Sequence, residues 1–98
     1  MFAIVWEFEA RSGSEEAIER INGPDGEWTR FFSTDPEFLG TEMLREEGTR
    51  RYLTIDRWTS RAAYETFCER RRAEYETIDR SLERLTEKER KIGAFVIL

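Results

Sequence analysis

Apolar and polar positions alternate from Phe2 to Glu9: Phe2, Ile4, Trp6 and Phe8 fall on one face, and Ala3, Val5, Glu7 and Glu9 on the other. A period of two in aromatic and β-branched residues predicts a strand. Arg11-Ser12-Gly13-Ser14 predicts a turn, after which either Ser12, with Glu15 three residues on, or Ser14 opens a helix. The period becomes helical from Glu15 to about Ile21, with Ala17, Ile18 and Ile21 on one side. Gly23-Pro24-Asp25-Gly26 interrupts that helix, because Pro pre-sets a turn and Gly frees the backbone. Glu27–Phe32 predicts a second short helix carrying Trp28, Phe31 and Phe32, and Thr34-Asp35-Pro36-Glu37 predicts a single turn. Two further strands, Phe38–Glu46 and Arg51–Trp58, are joined through a tip at Glu47-Gly48-Thr49. In the second of these, Leu53 and Ile55 share one face, and Tyr52, Thr54, Asp56 and Trp58 the other. Ser60 caps a long helix, about Arg61–Leu85, with an apolar stripe through Tyr64, Phe67, Cys68, Tyr75, Ile78, Leu82 and Leu85. Opposite charges four apart, Arg72 with Glu76 and Glu76 with Arg80, predict a solvated outer face. Thr86-Glu87-Lys88-Glu89 predicts another short turn, and the apolar run Ile92–Leu98 a buried final strand.

The order β-α-β-β-α-β predicts an α+β, ferredoxin-like domain spanning residues 1–98, with two helices over one face of a four-stranded antiparallel sheet. The second sheet face then needs water or a partner. A solvated face would be polar, yet several strands are apolar on both sides. If Leu53 and Ile55 meet the helices, the open face shows Tyr52 and Trp58, joined by Val5, by Phe38 or Leu44, and by Phe95 or Ile97. An open patch of that kind predicts a homodimer packed sheet to sheet.

Composition narrows the chemistry. The chain has 98 residues, 38% of them charged and 13% aromatic, one Cys and no His. Without His there is no His general base, no Ser-His-Asp or Cys-His machinery and no His-ligated zinc or haem. One Cys excludes an intrachain disulfide, so nothing calls for an oxidising compartment. The first residues lack the basic stretch of a signal peptide, and no apolar run approaches the ~20 residues of a membrane span; the expected location is the cytoplasm. A net charge of −5 is a poor field for nucleic acid or an anionic membrane, so neither is an expected partner. The Gly23–Gly26 pair lacks the Lys and Ser/Thr of a phosphate loop, and the stacking motif of the RNA-binding sheets is absent.

Gly-Pro-Asp-Gly-Glu-Trp at 23–28, Phe-Leu-Gly-Thr-Glu-Met-Leu at 38–44 and Arg-Tyr-Leu-Thr-Ile-Asp-Arg-Trp-Thr-Ser at 51–60, running into Ala-Ala-Tyr-Glu-Thr-Phe at 62–67, resemble the antibiotic-biosynthesis-monooxygenase-like proteins. The resemblance extends from Phe2 to Phe95. It implies a dimeric α+β barrel with a pocket between sheet and helices in each subunit. It further implies a cofactor-independent monooxygenase, with no cofactor and no metal, acting on an aromatic or polyketide-like small molecule. The alternative is a non-catalytic small-molecule-binding or structural dimer of the same fold, since one fold hosts many functions. In the cofactor-independent oxygenases an Asn and a Trp on the third strand hold the substrate. Trp58 matches the Trp, but the position four earlier is Thr54. A haem-degrading relative would need a helix His, which this chain lacks.

Each candidate residue carries two readings. Trp58 can stack on a flat substrate or fill the core. Tyr52 and Thr54 can orient a ligand by hydroxyl hydrogen bonds or fill a dry interface. Asp56 is the best candidate for a catalytic base. Grouped with Glu7 and Glu42 in a poorly solvated cavity it would have a raised pKa, whereas pairing with Arg45, Arg51 or Arg57 would leave it structural. Cys68 on the apolar stripe reads as a buried small hydrophobe rather than a reactive thiol. Asn22 either ends the first helix or projects into the pocket mouth.

Overall fold

The computed structural model describes residues 1–98. Strand β1 (Phe2–Ala10) is followed by α1 (Glu15–Asn22) and α2 (Glu27–Phe32), then by the hairpin of β2 (Phe38–Arg45) and β3 (Arg51–Trp58). Helices α3 (Arg61–Arg70) and α4 (Arg72–Leu82) lead to β4 (Thr86–Val96). The sheet is antiparallel in the order β2-β3-β1-β4, the ferredoxin-like arrangement.

Register decides which face is core. Phe2, Ile4, Trp6 and Phe8 of β1 stand opposite Trp58, Asp56, Thr54 and Tyr52 of β3. Opposed residues share a face, so β3 turns its Tyr52-to-Trp58 side toward the helices. This reverses the assignment that put Leu53 and Ile55 against the helices. The bulky aromatics of β1 claim the helix side, and pairing then commits β3 to the same side. Phe2, Ile4, Phe31, Phe32, Trp58 and Phe67 form one cluster; Phe8, Ala10, Ile18, Tyr52 and Leu82 form a second beside it. The open face keeps Val5, Leu53 and Ile55, with Leu44 and Phe95 each 46% exposed.

Three local expectations are corrected. Ser60 does cap its helix, its Oγ accepting from the Ala63 amide at 3.1 Å. That helix does not run unbroken to Leu85, however. Arg71 breaks it with φ −112° and ψ 30°, its guanidinium lying over Phe31 and Phe67 at 5.1 and 5.5 Å and donating to Thr34 Oγ1 at 3.1 Å. Tertiary contacts on one long side chain outweigh continued helix propensity. Second, Thr86–Glu89 is not a turn: it pairs along β1 from Ala10 to Phe8 and makes β4 an eleven-residue strand. The long β1 offers hydrogen-bonding groups that must find partners. Third, the end of the chain is not buried. Ile92, Phe95 and Val96 are 39%, 46% and 74% exposed, because β4 is the sheet edge and half of it faces the uncovered side.

Candidate functional site

A cleft opens between the sheet and the helix layer. Trp6 and Phe8 of β1 and Thr54 and Asp56 of β3 form its floor, and Glu89 of β4 lies at its edge. Asn22 of α1, Trp28 and Phe32 of α2, and Tyr75, Asp79 and Leu82 of α4 form the opposite wall. The atom-free space is about 380 Å³ out to its open mouth. It is a narrow slot, its inner part holding about two waters.

Asp56 is the chemical centre of the floor. It is 9% exposed and forms no ion pair. Its Oδ1 accepts from Thr41 Oγ1 at 2.7 Å, across the β2–β3 register, and its other oxygen takes no hydrogen bond from the protein. Burial pushes its carboxyl up to about 6, the Thr41 hydroxyl pulling the other way. A carboxylate with that pKa exchanges protons near neutral pH, as a general base must.

Asn22 fulfils both of its readings: it ends α1, with Nδ2 donating to the Ile18 carbonyl at 3.1 Å, and it lines the cleft at 2% exposure. Trp28 anchors the wall through Tyr75, their rings 4.8 Å apart edge to face, and through Phe32 at 5.4 Å.

Of the four residues singled out on β3, Thr54 and Asp56 line the cleft. Trp58 and Tyr52 share their face but stand outside it. Trp58 has no exposed surface and packs against Phe38, Phe32, Phe67 and Tyr64 at 5.2–5.7 Å, its Nε1 without a partner. Tyr52 is 1% exposed and its hydroxyl donates to Glu19 Oε2 at 2.6 Å. Glu7 and Glu42 do not join Asp56; they lie on the open face and pair with arginines. Arg51 Nε donates to Glu7 at 2.9 Å and Arg57 to Glu42 at 3.0 Å. The Arg51 hydrogen bond holds the Glu7 carboxyl below its ordinary range. Cys68 is half-buried among Tyr64 and Tyr75, and burial pushes its thiol up, away from reactivity.

Sequence reasoning missed Asp79 and Glu89. Asp79 follows Ile78 on the apolar stripe, and that placement was the available signal for a wall position. Glu89 was hidden by the turn expected at Thr86–Glu89. No group of three or more acidic, His or Cys side chains is close enough to share a metal ion.

The profile of the family described as antibiotic biosynthesis monooxygenase matches residues 1–74. No curated protein matches the chain. Among solved structures, SnoaB, a cofactor-independent oxygenase from Streptomyces nogalater, is 19% identical, with a TM-score of 0.75 over 99% of this chain and 92% of that one. A protein of Nitrosomonas europaea, described as a candidate antibiotic biosynthesis monooxygenase, is 14% identical with a TM-score of 0.73, over 100% and 99%. An uncharacterised NIPSNAP domain protein from Burkholderia xenovorans is 10% identical with a TM-score of 0.70, over 100% and 95%. At these identities the similarity establishes the fold.

Proposed function

Because this chain belongs to the antibiotic biosynthesis monooxygenase family, we propose that it is a cofactor-independent monooxygenase acting on a flat aromatic or polyketide-like small molecule. The observation that carries this reading is Asp56: a buried carboxylate without an ion pair, in an aromatic slot, with one oxygen held by Thr41 and the other open to the cleft. In this reading Asp56 takes a proton from an activated C–H or O–H of the substrate. The resulting carbanion or phenolate donates electrons to oxygen. One oxygen atom enters the substrate and the other leaves as water. An activated methylene and one dioxygen thus give a ketone and one water, a four-electron oxidation of carbon matched by four-electron reduction of dioxygen. The protein binds, orients and removes the proton. Thr54 supplies a hydroxyl on the floor, while Trp58 and Tyr52 flank it along β3 in the two core clusters. The narrow slot suits a planar ring, which enters by displacing Tyr75, half-buried on α4 next to the break at Arg71. A second copy of the chain belongs on the open sheet face.

A second reading, a binding or structural dimer without turnover, draws support from the closely filled core around Trp58 and Tyr52 and the narrowness of the cleft. Oxygen uptake with a panel of dihydroxy-aromatics and anthrones separates the two. The oxygenase reading expects uptake that Asp56→Asn lowers by about 10²-fold or more. Ligand binding without uptake from any member selects the second reading.

A further inference from the structure

The nine ion pairs of this molecule each join a carboxylate to an arginine. The three carboxylates of the cleft, Asp56, Asp79 and Glu89, belong to none of them, and no Lys or Arg lines the cleft. Lys91 of β4 stands opposite Trp6 in register, outside the cleft lining, and forms no ion pair. The three do not come together as a group that could hold a metal ion. The deepest of them, Asp56, is nine-tenths buried with an oxygen that no protein group satisfies. That oxygen is not fully enclosed, so it is free to accept from a molecule in the cleft. Trp6, Trp28 and Tyr75, whose ring faces attract cations, line the same cleft.

We propose that the molecule taken into this cleft carries a protonated amine, held at the mouth between Asp79 and Glu89 with its ring along Trp6 and Trp28. The proposal rests on the cleft being the substrate site of the function above, and it names that substrate's class. Asp79 and Tyr75 also wall a groove on the outer side of α3 and α4, where Glu65, Glu69 and Glu76 outnumber Arg72. A cation approaching by that route meets more acidic than basic side chains. Desolvation, and then the charge of Asp79 and Glu83, raises the Glu89 carboxyl; desolvation and Glu83 raise that of Asp79. Both shifts are relieved by a bound cation. Asp79 and Glu89 lie beyond the residues that the family profile matches. They are specificity residues, whereas Asp56 is the candidate base.

The test is anaerobic titration of the intact protein, read by tryptophan fluorescence, with three hydroquinones alike except for an aminoethyl, a hydroxyethyl or a carboxymethyl side chain. The aminoethyl compound should bind at least tenfold tighter than the hydroxyethyl one, and the carboxymethyl compound weakest. In the Asp79→Asn/Glu89→Gln double variant the first two should come within threefold of each other. The hydroxyethyl compound, keeping its affinity, serves as the control for an intact cleft. Equal binding of the three by the unaltered protein overturns the proposal without any variant. So does binding of none of them, or a preference that survives the double substitution. Oxygen uptake in air is a separate readout. Ammonium preference without uptake removes the oxygenase reading alone, and uptake without preference removes this one alone.

Discussion

Asp56 carries opposed consequences for stability and for activity. Its carboxyl, with a pKa of about 6 in the folded protein against 3.8 ordinarily, keeps a proton that the unfolded chain has already lost between those values. Stability from this group is therefore full below pH 4 and is lost as pH rises through 6, by about 3 kcal/mol in total. Asn is neutral throughout and still accepts from Thr41. Urea denaturation of Asp56→Asn against the unaltered protein should show little difference at pH 4 and a more stable variant at pH 8, by up to about 3 kcal/mol. A variant equally or less stable at pH 8 would mean that Asp56 is compensated there. The same ionisation sets activity with the opposite sign, since a base must be deprotonated: kcat/KM for oxygen uptake should rise through about pH 6 and then level. The residue types at this site were legible in the alternation along β3, which put Tyr52, Thr54, Asp56 and Trp58 together. Which face that was, and that Glu7 and Glu42 lie across the sheet from Asp56, depends on register, and a strand's own sequence carries no record of its partner's offset.

At the scale of elements, strong periodicity was read correctly, and the departures occur where distant residues intervene. β1, β2, β3, α1 and α2 begin and end within a residue or so of their expected limits, because glycine-rich turns and changes of period bound them. The helix break and the early start of β4 have no comparable local mark. Arg71 sits in a run of three arginines, and only the placement of Phe31, Phe67 and Thr34 distinguishes it from Arg70 and Arg72. Its substitution should therefore stand out among the three. Arg71→Ala removes two cation–π contacts, the bond to Thr34 and the ion pair with Glu74, and should cost about 1–2 kcal/mol. Thermal unfolding should register that as a Tm lower by roughly 4–16 °C in a domain of this size. Arg72→Ala, at an exposed position with no ion pair, should stay within about 0.5 kcal/mol of the parent. Equal effects at the two positions would mean that the break belongs to the helix itself rather than to Arg71. The charged run Glu87–Lys91 has a related explanation: it lies on an edge strand, where charges discourage pairing with further chains.

For the whole molecule, the surplus of apolar side chains argues for a second copy. The inference survives the reversal of the sheet faces, although its residues change. Tyr52 and Trp58 are core, and the uncovered side presents Val5 opposite Ile55, Leu44 opposite Leu53, and Phe95 lying over Gly93. Leu44 and Phe95 are nearly half exposed on a chain of 11.7 kDa. Glu7 with Arg51 and Arg90, and Glu42 with Arg57, hold the charges around that centre as pairs. On this face Glu7, Glu9 and Glu42 meet Arg51, Arg57, Lys88 and Arg90, so the overall charge of −5 is concentrated elsewhere and does not repel an approaching copy. An apolar centre within a rim of paired charges is the usual anatomy of an interface. Sedimentation at micromolar concentration should give twice 11.7 kDa. Ile55→Arg should give the monomer mass with an unchanged circular dichroism spectrum, because Ile55 lies on the side of the sheet that the helices leave bare. High salt should leave the parent dimeric, since screening weakens exposed charge pairs but not apolar burial. A parent chain that sediments as a monomer would leave Leu44 and Phe95 facing water and remove the ground for a dimer altogether.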